Sequence, residues 1–115
     1  PLYSSAASDV YKRQYHNHEQ GTPTLWDTAI SQSDFNRLNI DLGHYTASET
    51  GDPLQILMDK HNKIVSMHIK DRKGLSRGGA NLVWGQGDTP IKEAIKIYKK
   101  KGYDFKNLSS FVAPL

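Results

Sequence analysis

The sequence predicts an α/β fold in which parallel strands alternate with amphipathic helices, and three observations lead to this prediction. Helix starts of one design recur three times along the chain. Short strand-like runs lie between these helices. Residues with imidazole or carboxylate groups stand at the ends of the runs, at nearly equal spacing. An alternation of strands with crossover helices favours parallel strands joined by right-handed connections.

Each predicted helix begins with an oxygen-bearing N-cap residue, followed by proline at the first helical position. The three starts are Thr22-Pro23, Asp52-Pro53 and Thr89-Pro90. Apolar residues then recur at helical spacing, which is typical of a helix with one buried face. Asp52 and Gln55 also match the pattern of a capping box.

The strand-like runs are short and rich in apolar residues. They are Tyr15–His18, Leu38–Leu42, Ile64–Ile69 and a weaker run at Leu108–Val112. A doubly wound sheet is compatible with this order, but the sequence lacks a glycine-rich phosphate turn after a strand. The longest irregular stretch, Gly74–Asp88, is rich in glycine and carries Trp84. Long loops that follow parallel strands are a usual place for function.

The first residues differ in character from the rest of the chain. Ser4–Gln14 reads SSAASDVYKRQ, which is the codon-by-codon translation of a common transposase sequencing adapter. We therefore expect residues 1–14 to be a non-native, disordered segment. On this interpretation native sequence begins at Tyr15, and an unknown length of the parent protein is missing before it.

Composition sets the broad class. The chain has 115 residues, of which 37% are hydrophobic and 23% are charged, as in one small globular domain. It has no apolar run long enough to span a membrane and no cysteine, which excludes disulfides and thiolate metal sites. The lysines around Lys99 are interpreted as a solvated helix end, because a nucleic-acid surface would interleave more aromatic residues. We expect neither nucleic acid nor membrane as a partner, and the sequence leaves the compartment, cytoplasm or periplasm, open.

The residues that could carry chemistry stand where the predicted strands stop. They are His16, His18, Asp41, His44 and His68. The carboxyl ends of parallel strands share one face, so these side chains are expected to converge. A carboxylate with several imidazoles is a suitable oxygen and nitrogen site for a divalent ion such as Mn²⁺, Mg²⁺, Co²⁺ or Zn²⁺. Each residue also has a structural interpretation, as a hydrogen-bonded histidine or, for Asp41, as the cap of a loop.

Four motifs extend the pattern: YHNH at Tyr15–His18, IDLGH at Ile40–His44, SMHIKD at Ser66–Asp71 and WGQGDTPI at Trp84–Ile91. In this order and spacing they resemble the sugar phosphate isomerase/epimerase group, the xylose-isomerase-like TIM barrels. The resemblance implies that residues 15–115 are a partial barrel domain. This domain would be the C-terminal part, about strands five to eight, of a (β/α)8 barrel that is incomplete in this chain. It also implies a divalent metal ion at the carboxyl ends of the strands.

The resemblance assigns roles to individual residues. It implies that Asp41 and His68 bind the metal, and that His16 stands where many relatives have a glutamate ligand. His16 and His44 are the expected catalytic residues. The residues implied in substrate binding are His18, His44, Arg72, Lys73 and Trp84, among which Arg72 or Lys73 would hold a substrate oxygen or phosphate.

Two departures from the group's pattern affect the expected chemistry. Gln86 stands where relatives often have glutamate, and Leu108–Leu115 lacks the glutamate that relatives usually carry on the last strand. The resemblance still implies an isomerase or epimerase that transfers a proton next to the carbonyl of a sugar or sugar phosphate, with the intact parent as a homo-oligomer. Alternative functions are a sugar-type dehydratase or hydrolase on the same metal site, or a non-catalytic carbohydrate-binding relative. We expect the truncated chain itself to be inactive, because half a barrel leaves its sheet edges open.

Overall fold

The computed structural model of the chain describes residues 13–19, 21–102, 105 and 110–112. Its elements in chain order are β1 (Arg13–His16), α1 (Pro23–Ser31), β2 (Asn36–Asp41), α2 (Leu42–Ser48), α3 (Pro53–Lys60), β3 (Ile64–His68), β4 (Asp71–Arg72), β5 (Asn81–Leu82), α4 (Ile91–Lys100) and β6 (Ser110–Val112). Single 3-10 turns follow α3 and β4. No helix in these ranges has the length and apolar character needed to cross a membrane.

The main sheet has the strand order β1-β2-β3-β6, and every neighbouring pair is parallel. The register places Asp41 of β2 beside His68 of β3. On the other side of β2, His16 of β1 pairs with Asn39. The carboxyl ends of three strands therefore lie side by side, and the prediction of an α/β fold with parallel strands is confirmed.

The core lies between this sheet and its helices. β2 and β3 contribute the fully buried residues Leu38, Ile40, Ile64 and Met67. The helices cover them with apolar faces, through Trp26 and Ala29 of α1, Ile56 and Leu57 of α3, and Ile91 and Ala94 of α4. Two apolar residues of the predicted helical pattern, Leu25 of α1 and Met58 of α3, are exposed instead. Each large apolar side chain buried in this way contributes about 1.5–3 kcal/mol relative to exposure.

Helix α2 replaces the end of a predicted strand. The sequence predicts one strand over Leu38–Leu42, but β2 ends at Asp41 and α2 begins at the next residue. The reason is local, because the Asp41 side chain accepts a hydrogen bond from the backbone N–H of His44 and caps the new helix. The helix ends at Glu49, whose φ of 58° lies in the left-handed region.

The predicted helix caps are only partly realised. Asp52 does cap α3, since its Oδ1 accepts from the N–H of Leu54 at 2.9 Å. Gln55 donates instead to Asp59, within its own helix. At α4 the N-cap is Pro90 rather than Thr89, because the Thr89 hydroxyl accepts a hydrogen bond from the N–H of Arg72.

Strand β1 includes two residues of the segment that the sequence predicts to be non-native. Arg13 and Gln14, expected to be disordered, lie in β1 and pair with Asn36 and Arg37 of β2. Gln14 also accepts a hydrogen bond from the hydroxyl of Ser66. These sheet contacts explain why the strand starts at Arg13 rather than Tyr15. The rest of the predicted non-native segment, residues 1–12, lies outside the described residues.

The predicted irregular stretch Gly74–Asp88 contains one strand of a second, two-stranded sheet. Within it β5 pairs with β4 in antiparallel register, which matches Asp71 with Leu82 and Arg72 with Asn81. The same stretch also contacts the end of α2, where the carboxylate of Glu49 accepts hydrogen bonds from the N–H and the hydroxyl of Ser76. The stretch Gly74–Asp88 is therefore held by strand pairing with β4 and by hydrogen bonds to Glu49.

Candidate metal centre

Asp41 is the centre of the group of polar side chains at the strand ends. It is fully buried, and its backbone is held by the Asn17 amide, which accepts from Asp41 N–H at 2.7 Å and donates to Asp41 C=O at 3.0 Å. Its Oδ1 accepts from the N–H of His44 at 2.9 Å. These contacts fix the carboxylate, so that only its second oxygen, Oδ2, faces the other side chains.

Oδ2 of Asp41 lies among nitrogen atoms. The ammonium of Lys70 is 2.8 Å away, Nε2 of His44 is 3.6 Å away and Nε2 of His16 is 4.0 Å away. Although Lys70 is close enough to form an ion pair, Oδ2 accepts no hydrogen bond of good geometry from the described residues. A buried carboxylate oxygen with this environment needs a cation, which is at present the lysine.

Three histidines gather around this oxygen. One potential ligand atom from each of His16, His18 and His44 lies within 4.8 Å of the others. The ring of His68 is also close, with its centroid 5.0 Å from that of His16. The structure thus brings together all five residues that stand at the predicted strand ends.

These contacts allow two ligand sets. The set predicted from the resemblance, His16, Asp41 and His68, remains a prediction. The imidazole cluster instead contains His18 and His44, for which the sequence analysis predicts substrate contacts. Burial lowers the pKa of both His44 and His68, and the charge of Asp41 opposes this effect. Lowered pKa values favour neutral imidazoles, the form that binds metal.

A hydrogen bond to the backbone assigns the tautomer of His16. Nδ1 of His16 lies 3.1 Å from the carbonyl oxygen of Asn39, which can only accept, so in the neutral ring Nδ1 carries the proton and Nε2 has a free lone pair. Both ring nitrogens of His44 face cationic donors, since Nδ1 lies 2.9 Å from the Arg72 guanidinium and Nε2 lies 3.1 Å from the Lys70 ammonium. At Nε2, His16 is therefore a base or ligand, whereas the contacts of His44 assign no single tautomer.

Arg72 links this centre to the neighbouring loops. It is buried, and its Nε and one terminal nitrogen donate to the carbonyl of Gly79 at 3.1 and 2.6 Å. The same terminal nitrogen lies 2.6 Å from a carboxylate oxygen of Glu19. This hydrogen bond lowers the pKa of Glu19 and keeps it ionised. No role is predicted for Glu19 from the sequence, although its place next to His18 makes it a neighbour of the site.

Lys70 is the second site residue without a predicted role. Its approach to Asp41 depends on Gly43, because a Cβ at that position would lie 2.6 Å from the Cβ of Lys70. A side chain at position 43 would push the lysine away from the carboxylate. The glycine of the IDLGH motif is thus explained by close packing.

Two predicted substrate-binding residues are not among these contacts. Lys73 lies 3.8 Å from the carboxylate of Asp88. Trp84 lies in the turn after β5, with 39% of its surface exposed. Their roles in substrate binding remain predictions.

Comparisons with known proteins agree with the fold. No family model matches the sequence, and no curated protein matches it. A solved structure, the xylose isomerase domain protein from Planctomyces limnophilus, matches with a TM-score of 0.74 and 19% sequence identity. The match covers 99% of this chain and 42% of that structure's chain, so this chain spans less than half of its length. At this identity the likeness shows a shared α/β fold of the xylose isomerase type.

Proposed function

We propose that this chain is the C-terminal part of a longer TIM barrel, a divalent-metal-dependent isomerase or epimerase acting on a sugar or sugar phosphate. The observation that supports this most is the buried Asp41 Oδ2, which faces several imidazoles at the carboxyl ends of parallel strands. Metal and substrate sites of parallel α/β barrels lie at these ends. The fold likeness to a xylose isomerase domain protein supports the same conclusion.

The donor set suits a divalent ion. We expect Asp41 Oδ2, Nε2 of His16 and the ring of His68 to hold it, because carboxylate and neutral imidazole are the usual ligands of Mn²⁺, Co²⁺ and Zn²⁺. When bound, such an ion would polarise a substrate carbonyl. Lys70 now occupies the position of the cation next to Oδ2, so it has to move away or share the carboxylate.

Two imidazoles are the candidates for the base and the acid. Nε2 of His16 has one free lone pair, which either holds the ion or, if Asp41 and His68 hold the ion without it, accepts a proton from the carbon next to the carbonyl. His44 contacts the Lys70 ammonium through Nε2, so a proton that it takes up from Lys70 can be passed to a substrate oxygen. Proton transfer next to a carbonyl needs one group of each kind, and an imidazole serves both tasks near neutral pH.

Removal of metal from the intact gene product tests the proposal. We expect a chelator to abolish interconversion of sugars in a panel of aldoses, ketoses and their phosphates, and Mn²⁺, Co²⁺, Mg²⁺ or Zn²⁺ to restore it. Undiminished turnover after chelation would contradict the metal dependence. Identification of the product separates the alternatives, because a dehydratase forms a dehydrated sugar, a hydrolase cleaves a bond, and a binding protein gives no product.

The open sheet gives a further expected outcome for the chain itself. In the part of the chain that the structure describes, β1 and β6 are the outer strands of the four-stranded sheet. An outer strand presents backbone groups with which another chain can pair. We expect purified residues 15–115 to aggregate or to unfold without a cooperative thermal transition, and to be inactive. A monomer with a sharp, reversible transition in circular dichroism would refute this expectation.

A further inference from the structure

The guanidinium of Arg72 is the predicted anchor for a substrate phosphate, yet its donors are already engaged. Its Nε and one terminal nitrogen donate to Gly79 C=O, the same terminal nitrogen pairs with Glu19, and the other lies against His44. A guanidinium has five N–H donors, and four of them are used by these contacts. The edges of the guanidinium that could bind a phosphate through two parallel hydrogen bonds are therefore already occupied.

Glu19 is the exchangeable member of this set. The contacts of Arg72 to Gly79 are buried, whereas the side chain of Glu19 is 42% exposed and covers the guanidinium from the solvent side. An incoming phosphate would have to displace a carboxylate that already forms a charge-assisted hydrogen bond. Without displacement, two anions would lie side by side.

The other predicted anchors are likewise paired with carboxylates. Lys73 lies beside Asp88, which also pairs with Arg77. Lys70 pairs with Asp41. Each of these cations would have to break an existing ion pair before it could bind a substrate phosphate.

We propose that Glu19 is a specificity-determining residue: by capping Arg72 it excludes phosphorylated substrates, so that the site selects uncharged sugars. This inference rests on the proposed function for the identity of the substrate, but the exclusion of anions can be measured without turnover. An uncharged hydroxyl can still accept a hydrogen bond from the remaining N–H of Arg72. A phosphate needs the edge that Glu19 covers.

Inorganic phosphate, titrated calorimetrically into the metal-free intact gene product, tests the exclusion. Replacing Glu19 with alanine should strengthen phosphate binding by about tenfold, because a charge-assisted contact to Arg72 becomes available. Glu93→Ala is the matched control, since it removes the same charge from the exposed face of α4 and should leave the affinity unchanged. Glu19→Gln, which keeps the shape and removes the charge, serves if the alanine variant does not fold.

Three results would overturn the proposal. The first is equal phosphate affinity in the wild type and in both Glu19 variants. The second is an equal gain in Glu93→Ala, which would indicate a general charge effect. The third is a gain that persists in the double variant Glu19→Ala/Arg72→Gln, since the new anion would then not be bound by the guanidinium.

Turnover separates this inference from the proposed function. The wild type should prefer a free ketose to the corresponding ketose phosphate in kcat/KM, and Glu19→Ala should reduce this preference by about tenfold. If phosphate affinity responds as expected and no sugar is converted, the proposed isomerase activity is wrong and the anion exclusion stands. If sugars are converted with the phosphate preferred, the exclusion is wrong and the isomerase activity stands.

Discussion

Replacing Asp41 with asparagine in the intact gene product is expected to lower metal affinity by about 100-fold or more and to abolish isomerase activity. The amide keeps an oxygen that can accept from the N–H of His44, so α2 retains its cap. The change removes the charge of Oδ2, the oxygen that faces Lys70, His44 and His16. Metal content by elemental analysis and affinity by calorimetry measure the effect.

Asp52→Asn is the matched control for this substitution. Asp52 also caps a helix, since its Oδ1 accepts from Leu54 N–H at the same 2.9 Å, but it is not among the side chains that face Oδ2 of Asp41. We expect this variant to keep both metal and activity. A loss of metal in both variants would indicate a general effect on folding, and full metal content in Asp41→Asn would refute the site.

The same assay distinguishes the two ligand sets. If the predicted set is right, His68→Ala will weaken metal binding strongly and His18→Ala will weaken it little. If the imidazole cluster of His16, His18 and His44 holds the ion, the order of the two effects will be reversed. His16→Ala should weaken binding under either assignment.

The sequence predicted the parts of the site that depend on periodicity. Strand ends occur at nearly equal spacing, and parallel strands bring their ends together, so the convergence of His16, Asp41 and His68 could be foreseen. The buried faces of the helices followed for the same reason, from apolar residues at helical spacing.

The missed features depend on individual side-chain contacts. Whether Asp41 ends a strand or caps a helix is decided by one hydrogen bond to His44 N–H, and no periodic pattern encodes it. The pairing of Arg72 with Glu19 joins β4 to the turn after β1, which is distant from it in sequence. The role of Lys70 likewise depends on its close packing against Gly43.

Asp71 illustrates how such contacts also stabilise the fold. In the sequence Asp71 is only the last residue of the SMHIKD motif, but in the structure it is almost completely buried beneath the loop that follows β5. Its Oδ2 accepts from the N–H groups of Gly85 and Gly87 at 2.7 and 2.9 Å, and its Oδ1 accepts from Thr89 at 3.2 Å. One carboxylate therefore satisfies three backbone donors of the WGQGDT segment.

Asp71→Ala is therefore expected to destabilise the intact gene product by about 3 kcal/mol, since the buried N–H of Thr89 is left without a partner and the part-buried N–H groups of Gly85 and Gly87 lose hydrogen bonds to a charged group. Gly87→Ala should have a similar effect with the carboxylate intact, because its methyl group would overlap the Asp71 side chain. The midpoint of guanidinium unfolding measures both changes.

Asp59→Ala serves as the control, because Asp59 is an exposed carboxylate on α3 that accepts a single hydrogen bond from Gln55. Its effect should stay within about 0.5 kcal/mol. If Asp71→Ala were as mild as this control, the loop would not depend on the carboxylate. If only Gly87→Ala were mild, the loop would be able to move away from the carboxylate while keeping its other contacts. A large effect of both Asp71→Ala and Gly87→Ala would mean that Asp71 holds the WGQGDT segment in place. The same contacts would then also position Arg72, the next residue of β4, beside His44 and Glu19.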